Sequence, residues 1–373
     1  MTDSITIKAH CLCNAYSFSA SVAKSALPLK AACCHCTSCR RLTGSLYSTC
    51  AQWPNLSEDL SGLKKYSYSK HIDVFSCGTC STKLFCRVST LGSAVYVVTG
   101  ALENTPGLVK YSVHLFVGDT IDGGASAWLP RSENGEPVMR WKQARGSQKL
   151  PLDWPTPKAI PVSPSTLEAS PAATPFHCHC KGFRLLLRGA ADLQADPARD
   201  STSTCISPET LKFKASLDSC DSCRLTYGSD VSTWAFAPLT HIRFAYSNEP
   251  AVELSEFPQT VALLKQAVLT AGKKDPRLGT LAVYSSSPDV DRYFCSTSFA
   301  NVFYAVHDRE DMVDTAVGLL DHPDGARAEG LLAWSYGKVG WEADVAGGWR
   351  EELVASVKTL SKEWAALNDE NST

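Results

Sequence analysis

The amino-acid sequence predicts a mainly β protein built from two tandem cysteine-rich domains. Three observations support this prediction: short strand-like runs recur along the chain, three cysteine blocks appear twice in the same order, and a proline-rich segment lies between the two sets. The length of 373 residues fits two domains of ordinary size. Hydrophobic residues make up 44% of the chain, which is enough for two packed cores.

The strand prediction rests on short runs of β-branched and aromatic residues. These runs are AYSFSA, YSTCAQW, KLFCRV and AVYVVTG in the N-terminal half and FRLLLRG, STWAFAP, IRFAYS, TLAVYSS and VFYAVHD in the C-terminal half. One helix is predicted near 257–270, with Pro258 in its first turn. A second is predicted over 349–367, where apolar residues recur at helical spacing and indicate a face that docks on the rest of the fold.

Cysteine spacing is the strongest local signal in the sequence. Random placement of 16 cysteines would give roughly 0.7 Cys-x-Cys pairs. The chain instead has three such pairs and four Cys-x-x-Cys pairs: Cys11/Cys13, Cys34/Cys36 and Cys178/Cys180, then Cys33/Cys36, Cys36/Cys39, Cys77/Cys80 and Cys220/Cys223. The isolated Cys50, Cys86 and Cys205 are interpreted as structural residues.

The cysteine blocks form an internal repeat. HCLCNAYSF, CHCTSCRRLTGS and VFSCGTCSTKLF correspond in order to FHCHCKGFRLLL, DSCDSCRLTYGS and YFCSTSFANVFY. Residues 151–175 between the two sets hold seven of the 20 prolines, which predicts an extended linker. We therefore expect a domain over 1–145 (the N-terminal repeat), a linker over 146–175, a second domain over 176–345 (the C-terminal repeat), and a C-terminal helix and tail over 346–373.

Charge and hydropathy indicate which classes of binding partner to expect. Lys and Arg number 36 against 38 Asp and Glu, so a nucleic-acid partner is not expected. No apolar run approaches the ~20 residues that span a bilayer, and the first residues lack a secretory pattern. We expect a cytoplasmic protein without a membrane partner, in which cysteines serve as metal ligands or redox groups rather than disulfides. The oligomeric state is left open.

The N-terminal cysteines divide into two candidate metal sites. One Cys-x-Cys pair and one Cys-x-x-Cys pair, far apart in sequence, can together complete a tetrahedral structural zinc site. These residues, which we call the outer cluster, are Cys11, Cys13, Cys77 and Cys80. Cys34, Cys36 and Cys39 remain as a compact group, the inner cluster, which can hold a second metal with one position open. Cys33 is a possible fourth ligand, although adjacent side chains point apart in an extended chain.

A zinc ion with three thiolate ligands carries a net negative charge, which makes it weak at generating hydroxide. It is well suited to a further soft sulfur ligand, and binding deprotonates an incoming thiol. This chemistry indicates carbon–sulfur bond making or breaking with a thiol co-substrate. Arg40 and Arg41 directly follow the cluster, and two interpretations remain open for them. They offset the negative charge of the site and bind a carboxylate, or they are solvated surface charges. His35 is either a proton shuttle or a residue that points away from the cluster.

At CHCTSCRRLTGS, preceded by HCLC and followed by FSCGTC, the sequence resembles the glutathione-dependent formaldehyde-activating enzyme family, which includes centromere protein V-like proteins. Every element of the family motif is present over about residues 8–130. The resemblance implies a β-tent fold with two zinc ions, a structural one in the outer cluster and one associated with activity in the inner cluster. The implied activity is a carbon–sulfur lyase reaction that forms S-hydroxymethylglutathione from glutathione and formaldehyde. Glutathione or another small thiol and a small electrophile are therefore the expected partners.

The C-terminal repeat departs from this motif. Asp218 replaces the first cysteine of the inner group and leaves Asp218, Cys220 and Cys223, while Ser298 stands where the outer group of Cys178, Cys180 and Cys295 needs its fourth cysteine. His177 or His179 could compensate. We expect none or one weak zinc site here, in a domain that shapes a pocket or an interface.

Two other functions remain open from the sequence. The first is a non-catalytic zinc-binding scaffold in which both metals are structural and Cys33 or a residue of the C-terminal repeat closes the fourth position. The second is nucleic-acid or microtubule binding by analogy with centromere-type relatives, and the absence of a basic run argues against it.

Overall fold

The computed structural model describes residues 3–92, 94–133, 136–152, 154–155, 172–190, 205–245, 256–270 and 274–370. Strands dominate these residues, as the sequence predicts, and they are arranged in two large and three small sheets. Most of the proline-rich linker, residues 156–171, lies outside the described residues.

The N-terminal repeat contains a large sheet of eight strands and two small hairpins. The first hairpin pairs β1 (Ser4–His10) with β2 (Ser17–Ala23), and the second pairs β10 (Ser132–Glu133) with β11 (Glu136–Pro137). The large sheet consists of β3 (Leu29–Cys34), β4 (Ser48–Gln52), β5 (Lys64–Ser69), β6 (Ile72–Ser76), β7 (Lys83–Val88), β8 (Ala94–Val98), β9 (Val109–Leu115) and β12 (Met139–Arg140). Its strand order is β12-β9-β3-β4-β8-β7-β6-β5.

The C-terminal repeat contains a three-stranded and a seven-stranded sheet. The small sheet consists of β13 (Ala173–His177), β14 (Arg184–Arg188) and β17 (Ile242–Phe244). The large sheet consists of β15 (Phe213–Asp218), β16 (Ser232–Pro238), β18 (Leu281–Ser287), β19 (Val290–Cys295), β20 (Asn301–Val306), β21 (Met312–Ala316) and β22 (Leu332–Gly340). Its order is β18-β19-β20-β21-β16-β15-β22.

The two large sheets have the same topology. From the parallel edge inward, the N-terminal order β9-β3-β4-β8-β7-β6-β5 matches the C-terminal order β22-β15-β16-β21-β20-β19-β18. In both sheets a parallel pair, β3 with β9 or β15 with β22, adjoins antiparallel pairs, and β12 adds a second parallel pair beyond β9 in the N-terminal sheet. The repeat seen in the cysteine blocks therefore extends to the strand order, while the boundaries at residues 145, 175 and 345 remain predictions.

Four α-helices accompany the strands in the described residues: α1 (Thr37–Thr43), α2 (Asp221–Tyr227), α3 (Val261–Leu269) and α4 (Trp349–Glu370). The helix expected near 257–270 begins later than predicted, because the Thr260 hydroxyl caps it by accepting from the Leu263 amide at 3.2 Å. The prediction that Pro258 stands in the first turn is therefore wrong. None of these helices is both long and apolar enough to cross a membrane.

The two repeats pack against each other through reciprocal contacts. The helix α1 lies on the turn Val317–Leu319, and α2 lies on the corresponding turn Thr99–Ala101. Arg41 of α1 donates to the Gly318 carbonyl at 3.1 Å and pairs with Asp321 at 3.1 Å. The buried apolar residues of both repeats form one connected core. Each cysteine-bearing helix therefore lies close to the other repeat.

The helix α4 docks on this core, as its apolar stripe predicts. Trp349, Leu353, Val357 and Trp364 are buried, whereas Leu367 at the end of the stripe is 40% exposed. Arg350 on the same helix forms a fully buried ion pair of 2.8 Å with Asp230 of the C-terminal repeat. The helix thus contributes both apolar and ionic contacts.

Candidate metal centre

The outer cluster joins two turns of the N-terminal repeat. Cys11 and Cys13 follow β1, and Cys77 and Cys80 follow β6, so the strand ends bring two distant pairs together. The Sγ atoms of Cys11 and Cys13 lie 3.5 Å apart, those of Cys13 and Cys77 lie 3.6 Å apart, and all four sulfurs lie within 4.8 Å of one another. A tetrahedral zinc at about 2.3 Å from each sulfur separates the sulfurs by about 3.8 Å, so the group fits zinc.

The inner cluster lies where β3 passes into α1. Cys34 ends the strand, Cys36 is the N-cap residue of the helix, and Cys39 lies in its first turn. The Sγ atoms of Cys34 and Cys36 are 3.5 Å apart, and all three sulfurs lie within 4.8 Å of one another. All three cysteines are half-buried. The spacing therefore fits a metal held by three sulfurs close to the surface.

Local backbone geometry holds this helix in place. The Cys36 sulfur accepts a hydrogen bond from the Cys39 amide at 3.3 Å, which caps the helix and ties two cluster members together. The helix ends at Gly44, whose left-handed φ of 86° favours glycine. A Cβ at Gly44 would lie 2.6 Å from the Asn301 carbonyl oxygen of the other repeat, so only glycine allows this close approach.

The electrostatics of the inner cluster favour one thiolate in particular. Hydrogen bonds from the thiols of Cys34 and Cys39 lower the pKa of the Cys36 thiol to about 2. The same sharing raises the pKa of Cys34 well above its ordinary value. Cys36 is thus the sulfur that carries negative charge first, which is the form that binds a metal ion.

Both clusters lie in a part of the chain that also matches a known family. Residues 6–119 match the family model of the glutathione-dependent formaldehyde-activating enzyme. This match confirms the resemblance for the N-terminal repeat, and it includes every cysteine of the inner and outer clusters. It ends before the C-terminal repeat begins. A search of curated proteins found no match to the chain.

Tyr68 on β5 belongs to the candidate metal centre in this matched segment, and sequence reasoning missed it. Its Oη lies 3.3 Å from the Cys39 sulfur and 3.7 Å from the Cys36 sulfur. Burial and the charges of Cys39 and Cys36 raise the pKa of Tyr68 well above its ordinary value, so the phenol stays protonated at neutral pH. The alternation in KKYSYS places Tyr66 and Tyr68 on one face of a strand, which was the available signal.

His179 brings the C-terminal repeat to the same centre. Its ring stacks on that of Tyr68, with centroids 4.7 Å apart, and its Nδ1 lies 2.7 Å from the Tyr66 hydroxyl. Its amide donates to the Arg41 carbonyl at 2.9 Å. His179 therefore contacts the candidate centre from the C-terminal repeat, while the expectation that this repeat shapes a pocket or an interface stays a prediction.

Arg40 has hydrogen-bonding capacity that the protein does not use. The residue is only 6% exposed, its Nη2 donates to the Thr37 hydroxyl at 3.2 Å, and its Nε has no partner. No carboxylate among the described residues lies within ion-pair distance of it. The corresponding Arg224 in the C-terminal repeat is instead paired with Asp221 at 2.6 Å. Arg40 therefore remains the candidate for binding an anionic group, whereas Arg41 connects the two repeats.

The remaining candidates lie outside the inner cluster. Cys33 is fully buried next to Thr49 and is not grouped with the three sulfurs. His35 bonds to His114 at 3.0 Å in the core, and burial lowers the pKa of His35 to about 3, so it remains neutral and structural.

The C-terminal repeat also gathers two groups of candidate ligands. The second outer cluster is Cys178, Cys180 and Cys295, and the second inner cluster is Asp218, Cys220 and Cys223; within each group the ligand atoms lie within 4.8 Å of one another. The structure does not bring the two nearby histidines into the second outer cluster. His177 Nδ1 lies 2.9 Å from the Cys178 carbonyl, and His179 Nδ1 faces Tyr66. Compensation by histidine is therefore not seen.

Proposed function

We propose that the protein is a zinc-dependent carbon–sulfur lyase that joins glutathione, or another small thiol, to an aldehyde or related electrophile. The observation that carries this proposal is the half-buried inner cluster, in which Cys34, Cys36 and Cys39 offer three sulfurs within a segment that matches the formaldehyde-activating family. The outer cluster would hold a second, structural zinc. The second outer cluster of the C-terminal repeat offers at most one weak further site.

The inner cluster would bind zinc through Cys34, Cys36 and Cys39. Zinc at three thiolates supplies a soft position that takes a thiol as its thiolate at neutral pH. In the synthesis direction the thiol sulfur forms a bond to the carbonyl carbon, the carbonyl π bond breaks, and the oxygen takes up a proton. Glutathione carries carboxylates, and the unused donors of Arg40 can bind one of them.

Tyr68 is placed to supply the proton that this reaction requires. Its protonated Oη lies within 3.7 Å of two sulfurs of the inner cluster, and therefore close to a sulfur compound bound there. A hydroxyl in this position can donate to the oxygen that becomes negative as the carbon–sulfur bond forms. His179 stacks on the Tyr68 ring and is itself held by the hydrogen bond between its Nδ1 and the Tyr66 hydroxyl.

The proposal is tested by metal analysis together with exchange measurements on the full chain. Glutathione and formaldehyde combine spontaneously, so nuclear magnetic resonance exchange at equilibrium separates catalysis from the background reaction. We expect the zinc-loaded protein to accelerate the exchange with formaldehyde or with another small aldehyde. A zinc-loaded protein that accelerates no thiol–aldehyde pair in such a screen would contradict the lyase proposal.

A non-catalytic zinc scaffold is the second candidate function. The position of Tyr68 favours this candidate, because its Oη is close enough to two sulfurs to complete the inner cluster as a fourth ligand. In that case both N-terminal metals would be structural.

The substitution Arg40→Gln tests the carboxylate-binding role. A hydrogen bond to a charged group contributes about 1.5–3 kcal/mol, so we expect the KM for glutathione to rise about 10- to 100-fold with little change in kcat. Steady-state kinetics measure this effect, and the exposed Arg145→Gln provides a matched control of equal charge. An unchanged KM would exclude Arg40 from substrate binding.

The substitution Tyr68→Phe separates proton donation from metal ligation. If Tyr68 supplies a proton, kcat should fall about 100-fold while the zinc content remains unchanged, because three sulfurs still hold the ion. Inductively coupled plasma analysis and kinetics on the same sample measure both quantities. Loss of zinc together with activity would instead support Tyr68 as a closing ligand.

A further inference from the structure

The second inner cluster contains a positive charge that its N-terminal counterpart lacks. Arg292 on β19 occupies the position that Val74 has on β6, because each residue lies three positions before an aligned cysteine, Cys295 or Cys77. Their cross-strand partners, Tyr304 for Arg292 and Cys86 for Val74, also correspond. Arg292 Nη1 lies 3.6 Å from the Cys223 sulfur, and Nη2 donates to the Ser222 hydroxyl at 2.7 Å. A guanidinium therefore lies beside the sulfurs of this group.

The charge of Arg292 requires an anion nearby. The residue is only 4% exposed, and within the described ranges no carboxylate comes within ion-pair distance of its guanidinium. Its Nε donates to the Ser286 hydroxyl at 3.1 Å, and its guanidinium stacks over the Tyr304 ring at 4.8 Å; both of these groups are neutral. A buried charge without a counter-charge is costly, so a thiolate at Cys220 or Cys223 is the anion that the geometry provides.

The same arrangement disfavours a metal ion. A cation bound between Cys220 and Cys223 would lie next to a buried guanidinium and be repelled by it. The group also offers only two sulfurs, because Asp218 stands in place of the third cysteine, and the Asp218 carboxylate already accepts from the Cys220 amide at 2.6 Å. The inner cluster differs in both respects, because it has three sulfurs and the apolar Val74 stands in the position of Arg292. No guanidinium at that position repels a bound metal ion.

We propose that Cys220 and Cys223 form a metal-independent redox pair that is oxidised reversibly by a low-molecular-weight disulfide. The two sulfurs lie within 4.8 Å of each other in a Cys-x-x-Cys sequence at the start of α2, and Cys220 is half-buried whereas Cys223 is buried. The Cys220 sulfur lies 3.1 Å from the Ser222 hydroxyl, which also accepts from Arg292. This proposal does not depend on the proposed lyase function.

The reaction consists of two thiol–disulfide exchanges. The Cys220 thiolate attacks one sulfur of the small disulfide, which forms a mixed disulfide and releases one small thiolate. Cys223 then gives up its proton and attacks the Cys220 sulfur, which closes the protein disulfide and releases the second small thiol. The small disulfide is reduced to two thiols, and the cysteine pair is oxidised by two electrons.

The test equilibrates the zinc-loaded full chain with mixtures of glutathione and glutathione disulfide, followed by acid quenching, alkylation and mass spectrometry. Trypsin releases both cysteines in one peptide, ASLDSCDSCR. We expect this peptide to be alkylated at both cysteines in reducing mixtures and at neither in oxidising mixtures, and Cys223→Ser to accumulate the mixed disulfide at Cys220. Cys205→Ser, outside both C-terminal clusters, should titrate like the unmodified chain.

Two results would overturn the redox proposal. The first is a pair that stays reduced in excess glutathione disulfide. The second is a pair that becomes oxidisable only after a chelator removes zinc, which would identify it as a metal site. Arg292→Met adds a kinetic readout, because loss of the guanidinium should slow alkylation of Cys220 at neutral pH about tenfold. Cys39→Ala should leave the titration unchanged, so the result separates this proposal from the lyase proposal.

Discussion

Replacing Cys39 by alanine should abolish turnover and remove one equivalent of zinc while the fold persists. Cys39 supplies one of the three sulfurs of the inner cluster, so its loss leaves two sulfurs for the metal. Loss of an outer-shell partner already costs about 10- to 100-fold in metal affinity or activity, and a direct ligand should cost at least the upper value. Metal analysis, exchange kinetics and circular dichroism on one sample measure the three effects.

The control for this experiment is Cys33→Ala, which changes a neighbouring cysteine outside the cluster. Cys33 is buried beside Thr49, so this substitution should lower the free energy of unfolding slightly and leave both zinc content and turnover unchanged. A Cys39→Ala protein that keeps full activity would remove the basis of the lyase proposal. Equal losses in both variants would indicate general destabilisation instead.

Replacing Arg350 by methionine should produce the largest loss of stability. Arg350 and Asp230 are fully buried, and Asp230 also accepts from Thr99 at 2.6 Å and Tyr111 at 2.7 Å in the N-terminal repeat. Removing one partner of a buried ion pair leaves an uncompensated charge, which costs about 3–5 kcal/mol. We expect the free energy of unfolding in urea to fall by this amount, because α4 and both repeats meet at this carboxylate.

Two further variants make this stability prediction specific. Lys358→Met on the same helix breaks an exposed pair with Glu342 and should change the free energy of unfolding by less than about 1 kcal/mol. Adding Asp230→Asn to Arg350→Met removes the unpaired charge and should recover part of the loss. A loss for Arg350→Met no larger than that for Lys358→Met would contradict the role given to the buried pair.

The sequence anticipated much of the fold and the sulfur groups because both depend on local patterns. KLFCRV and STWAFAP coincide with β7 and β16, and the apolar spacing after Trp349 matches the buried face of α4. The sulfur clusters were also predictable, because Cys-x-Cys and Cys-x-x-Cys pairs at strand ends constrain which sulfurs can lie close together.

The features that escaped prediction depend on contacts between distant segments. Tyr68 reaches the inner cluster from β5, and His179 stacks on it from the other repeat, so no sequence spacing connects them with Cys36. Arg292 likewise approaches Cys223 across strands. Tyr68 and Arg292 are strand residues that reach the sulfurs within their own repeat, whereas His179 reaches Tyr68 from the other repeat. The tertiary fold sets all three contacts, and the local sequence pattern does not reveal them.

The central claim is most directly tested by cadmium-113 magnetic resonance of the cadmium-loaded chain, because the resonance position reports the number of sulfur ligands at each site. We predict one resonance typical of four sulfurs from the outer cluster and one typical of three sulfurs, absent in Cys36→Ser, that moves toward the four-sulfur position when glutathione is added. A Cys36-dependent resonance that already lies at the four-sulfur position, or that does not respond to glutathione, would contradict a metal centre open to an incoming thiol.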